Sequence, residues 1–70
     1  MEIHIGKMIK AELKRQGRTV KWFQLKINRS HSAVYEIFRQ ESINTELLAI
    51  ISIALNHDFF KDISDIIAIS

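Results

Sequence analysis

Ile5, Ile9, Leu13 and Gln16 recur every three or four residues, with Met8 and Glu12 beside them, a spacing that predicts a helix from about His4 to Gln16. Lys7, Lys10 and Lys14 fall on its opposite side, and Gly17 supplies a stop because glycine enters the left-handed region without strain. Thr19 offers an N-cap oxygen to a second helix whose inner face is Val20, Phe23 and Ile27. Gln24 shares that side, while Trp22 and Leu25 point away from it, and Asn28 is suited to end the helix. Ser30 caps a third helix with a buried stripe of Val34, Ile37 and Phe38. At ~100° per residue, Ser32, Glu36 and Arg39 occupy its other side, flanked by Ala33 and Tyr35, with His31 in the first turn. Gln40 to Ile43 reads as a loop; Asn44 or Thr45 caps a fourth helix with Leu47, Leu48, Ile51 and Leu55 inward; Asn56 ends it. Asp58 caps a fifth element carrying Phe59, Phe60, Ile63, Ile66 and Ile67, whose IIAI end is a helix, a frayed tail or a short strand, since β-branched residues favour strands.

These elements predict an all-α fold, a compact four-to-five-helix domain, with residues 1–70 forming one domain. The second and third helices are joined by about three residues, Asn28 to Ser30, and bury one side of each. That is the spacing of a helix-turn-helix, here about 19–39, and it leaves the second helix of the pair projecting outward. A projecting helix of this length fits the B-DNA major groove, ~12 Å wide.

Charge sharpens the picture. Residues 1–40 hold nine Lys/Arg against three Asp/Glu, and residues 41–70 one Lys against five, so a balance of +6 faces one of −4. One end of the molecule is expected to attract polyanions. Arg15, Arg18 and Lys21 cluster around the first inter-helix turn and are candidates for phosphate contact; the Lys7, Lys10, Lys14 face reads as a solvated surface.

The stretch from Thr19 to Phe60 resembles the lambda-repressor-like, or XRE-type, helix-turn-helix regulators, and more narrowly a group of short bacterial regulators of that class. WF at Trp22–Phe23, VYEIF at Val34–Phe38 and LNHDFF at Leu55–Phe60 carry the resemblance together, which extends over roughly Ile5 to Phe60. It implies a five-helix domain that binds double-stranded DNA through its third helix, often as a dimer on a palindromic site. By that resemblance Ser30, His31, Ser32 and Ala33 match the start of the reading helix, with Tyr35 and Arg39 further along, and Thr19 and Lys21 match a phosphate-binding helix start. The candidate base contacts are then His31, Ser32, Ala33, Tyr35 and Glu36. The candidate phosphate contacts are Arg15, Arg18, Thr19, Lys21, Arg29, Ser30 and Arg39. The sequence departs from the family at Gln24, where a small alanine is usual, so that the helix crossing opens or the amide finds a partner. Glu36 stands where relatives often carry a cation, and it either accepts from a cytosine amino group or repels phosphate. Arg29 replaces an apolar residue, and Ile50 and Ile53 replace polar ones.

Those isoleucines raise the question of a partner. Leu25, Ala49, Ile50, Ile53, Ile66, Ile67 and Ile69 are candidates for a homodimer interface, unless the fifth helix folds over those of the fourth. A chain this short has little core, worth about 3–5 kcal/mol net, and with no cysteine it has no disulfide to add. His4, His31 and His57 lack zinc spacing, Asp58, Asp62 and Asp65 lack the glycine of a calcium loop, and no phosphate-loop or nucleophile motif occurs. No metal, cofactor, small-molecule substrate or enzymatic activity is therefore expected. No apolar run approaches the ~18 residues of a membrane span, and charges interrupt the N-terminal pattern, so a cytoplasmic, nucleoid-associated protein is expected. The expected function is sequence-specific DNA binding by a transcriptional regulator, repressor-like in action. The alternative is a helix-turn-helix scaffold kept as a protein-interaction or dimerisation module, motivated by Gln24, Glu36 and the extra isoleucines.

Overall fold

Each helix begins at a residue able to accept from its own first turn. The computed structural model describes residues 2–70, which form five helices: α1 Ile5–Arg15, α2 Val20–Lys26, α3 His31–Arg39, α4 Thr45–Leu55 and α5 Phe59–Ala68. Thr19, Ser30, Asn44 and Asp58 are the N-caps of α2 to α5, each side-chain oxygen accepting the N–H three residues on. Asn44, not Thr45, caps α4. His4 caps α1, its Nδ1 accepting from the Lys7 N–H at 3.1 Å.

The helix ends follow one rule. Gly17, Asn28 and Asn56 have φ of +69°, +54° and +49°, the left-handed region that glycine and asparagine tolerate best. At each, the next N–H reaches back five residues: Arg18 to the Leu13 carbonyl, Arg29 to Gln24, His57 to Ser52. Each closure satisfies carbonyls that a helix end leaves unpaired.

Apolar residues from all five helices meet in one core: Ile5, Ile9 and Leu13 of α1; Phe23 with Ile27; Val34, Ile37 and Phe38; Leu48, Ile51 and Leu55; and Phe59. Phe23 and Phe38 stack at 6.2 Å, locking α2 to α3. The radius of gyration, 11.7 Å, is close to the ~11 Å of a packed chain this long. The molecule is a compact all-α domain, with no strand among the described residues.

Some side chains sit differently from their helical-wheel positions. Trp22, read as pointing away from α2's inner face, is half-buried and packs against the core. Leu47, read as inward, is only half-buried. The IIAI end is neither strand nor frayed coil: α5 continues through Ala68. The fifth helix does not cover the fourth's outer aliphatics, since Ile53 remains 81% exposed. Gln24 is half-buried.

Candidate nucleic-acid interface

Three buried anchors, Val34, Ile37 and Phe38, hold one side of α3 on α1 and α2. Its other side carries His31, Ser32, Tyr35, Glu36 and Arg39, all exposed. Ala33 is half-buried at the rim of that face. The face is not uniformly free to react. The His31 ring lies 4.7 Å from Tyr35, and Tyr35 meets Phe38 edge-on at 5.7 Å, so these aromatics form a ladder down to the core. Glu36 accepts from the Arg39 guanidinium and from Gln40 Nε2 at 2.7 Å. The Arg39 contact, with Gln40 adding, holds the Glu36 carboxyl below the usual carboxylate range. The first half of the face therefore carries no carboxylate and stays exposed, and the second half is an internally matched ion pair.

The basic residues around the α1–α2 turn divide in the same way. Arg15 donates from Nε and Nη2 to Glu12, a carboxylate only 7% exposed. Gln16 Nε2 donates to the same carboxylate at 2.7 Å and to the Leu55 carbonyl at 2.8 Å. Glu12 is consequently lowered to a pKa of about 2, chiefly by Arg15, with Gln16 and His57 assisting against the opposing effect of burial. Among the described residues Arg18 has no ion-pair partner; its guanidinium lies 4.3 Å from the Trp22 ring centroid. Lys21 is exposed in the first turn of α2. Thr19 and Ser30 use their hydroxyl oxygens as caps, accepting from the Trp22 and Ala33 N–H groups, which leaves each O–H free to donate.

Arg29 stands apart from the α3 face. It lines a shallow cleft with Asn44, Glu46, Leu47 and Ile50, beside the start of α4. The aliphatic candidates are also dispersed: Leu25, Ile53, Ile67 and Ile69 are strongly exposed, Ile50 is 38% exposed, and Ala49 and Ile66 are half-buried.

Two features were not singled out from the sequence. Gly6 is buried where α1 crosses α3, and a Cβ there would lie 2.2 Å from the Phe38 carbonyl oxygen. Beside it, the Ile5 and Gly6 N–H groups donate to the Glu41 and Gln40 carbonyls, both at 2.9 Å, tying the start of α1 to the chain leaving α3. The second is the clasp at Glu12. His57 Nε2 lies 2.6 Å from Asp62 Oδ2, and its Nδ1 lies 3.7 Å from Glu12 Oε1, so one imidazole joins α1 to the start of α5. A carboxylate inside an apolar stripe was the visible signal for this clasp, since a buried charge requires partners.

No cluster of three or more potential metal ligands occurs among the described residues. Nor is any helix there long and apolar enough to cross a membrane. Comparison with known protein families, with curated proteins and with solved structures returns no match.

Proposed function

We propose that this chain is a lambda-repressor-like helix-turn-helix domain that binds double-stranded DNA sequence-specifically and acts as a transcriptional regulator of the repressor type. The exposed face of α3 carries this reading: polar and aromatic side chains opposite three anchors that fix the helix as a rigid rod. His31, Ser32 and Tyr35 are the base-reading set, with Ala33 at its rim, because the N-terminal part of such a helix meets base edges. Arg18 and Lys21, with the Thr19 and Ser30 hydroxyls, are the phosphate-holding set. Arg15 and Arg39, each already on a carboxylate, contribute less than their charges suggest. A homodimer through the exposed aliphatics would present two such helices to successive major grooves, ~34 Å apart.

A second reading rests on the Glu36–Arg39 pair and on the exposure of Leu25 and Ile53. It is a protein-interaction module of the same fold with little DNA affinity. Gel-shift titration against random duplex at low salt separates the two. Binding that weakens as salt rises supports the regulator. No shift, with a stable dimer in light scattering, supports the interaction module.

A further inference from the structure

A cleft between the end of α1, the outer side of α2 and the end of α4 is lined by Arg15, Gln16, Arg18, Trp22, Lys26 and the Ala54–Asn56 segment. None of its walls comes from α3, so it is distinct from the proposed reading face. It gathers three cations, and no carboxylate lines it. Arg18 and Lys26 lie over the Trp22 ring, at 4.3 and 6.0 Å from its centroid, and neither has an ion-pair partner among the described residues. Their charges are thus positioned but uncompensated. Arg15 turns its Nε and Nη2 edge to Glu12, and a guanidinium has further donors beyond those. The end of a helix normally presents carbonyls that repel anions. Here the Leu55 carbonyl accepts from Gln16, and those of Ser52 and Ile53 accept from the His57 and Asn56 N–H groups.

We infer that this cleft is a binding site for a phosphoryl anion, with Arg18 and Lys26 as the charged donors, Arg15 as an auxiliary donor and Trp22 as the platform that aligns them. Phosphate suits the arrangement because three cationic side chains line one cleft, and its several acceptor oxygens can take more than one charged donor. The same chemistry has two sources, a free phosphorylated small molecule or a phosphate of the nucleic-acid backbone. The DNA-reading proposal is not needed for the first.

The chain has a single tryptophan, which lies in this cleft, so occupancy is readable directly. Pyrophosphate titrated into the 70-residue chain at constant ionic strength is expected to change Trp22 emission saturably and to shift the backbone amides of Gln16, Trp22 and Asn56. Lys26→Gln and Arg18→Gln each weaken the response about tenfold, the loss of one charge-assisted contact. Lys7→Gln, which removes the same charge from the opposite side of α1, leaves it unchanged. If a saturating duplex displaces pyrophosphate, the source is the nucleic-acid backbone; if pyrophosphate binds alongside the duplex, it is a free ligand. Either result upholds the site. A pyrophosphate response with no gel shift on any duplex upholds the cleft while removing the DNA reading. Absence of both the emission change and the amide shifts overturns the site, as does an equal loss in Lys7→Gln.

Discussion

Gly6 has no room for a side chain. A methyl group there would meet the Phe38 carbonyl carbon and oxygen at 2.5 and 2.2 Å, and that backbone is pinned by the core on its other side. Gly6→Ala must push α1 away from α3, which costs about 2–3 kcal/mol by the scale of overpacked cores. That is most of the stability such a small domain has. Chemical denaturation should show a lowered midpoint, and a midpoint equal to the parent's would mean that the two helices do not approach this closely. Gly17 needs its left-handed φ of +69° but has open space around its Cβ position. Gly17→Ala is therefore expected to cost only about 1 kcal/mol, through the backbone alone. The two glycines look alike in the sequence and differ in what surrounds them.

At the scale of elements, the clasp joining α1, the end of α4 and the start of α5 sets a pH dependence. Glu12 titrates lower in the folded chain, at about 2, than its ordinary value of 4.5. A depressed carboxyl pKa gives stability that is fully present above about pH 4.5 and is lost as pH falls through about 2, because protonation of the folded state forfeits the Arg15 and Gln16 contacts. The contribution is on the order of 2 kcal/mol after allowance for the exposed Arg15 side chain. Denaturation of Glu12→Gln should show lower stability at pH 7 and a flatter profile between pH 5 and 2. An unchanged acid limb would show that another carboxylate governs it. The α3 element carries a separate expectation. Ser32→Glu places a negative charge among the proposed base contacts, so it should weaken binding to a specific site more than binding to random duplex. An equal loss on the two would remove Ser32 from the reading set.

For the whole molecule, the pairing of cations matters more than their number. Nine Lys/Arg lie in residues 1–40, yet Arg15 and Arg39 are engaged by Glu12 and Glu36, and Arg29 lines the separate cleft at the start of α4. If Arg18, Lys21 and Lys26 do most of the phosphate contact, the logarithm of the duplex association constant should fall with that of salt at a slope of about −3 per protomer. A slope twice as steep would mean that the paired arginines open on binding. The exposed aliphatics make the second expectation at this scale. Ile53, 81% exposed on α4, has no fifth helix folded over it. If the chain pairs through these aliphatics as proposed, Ile53→Asp should leave a monomer in light scattering without loss of helicity; a dimer that persists would move the interface to Ile67 and Ile69, and a parent chain that is already monomeric would remove the proposed pairing.

The local features of this chain were readable in its sequence because short-range chemistry fixes them. Thr19, Ser30 and Asp58 as caps, and Gly17, Asn28 and Asn56 as left-handed stops, act within a single turn of backbone. The stripe Val34, Ile37, Phe38 follows from the helical repeat alone. The open side of α3 was legible for the same reason, as the complement of that stripe. What the sequence left open depends on neighbours far along the chain. Whether IIAI is helix or strand is decided by the docking of α5 through Phe59 and Ile63. Trp22 is drawn inward against the core although its wheel position faces away. Glu12 needed Gln16, His57 and the end of α4 around it before its charge could be read as structural, and Arg15 is a clasp residue only because that carboxylate is buried beside it. Periodicity assigns a residue to a side of its own helix; only packing decides what stands on that side, and with it which charges are spent inside the molecule and which remain for a partner.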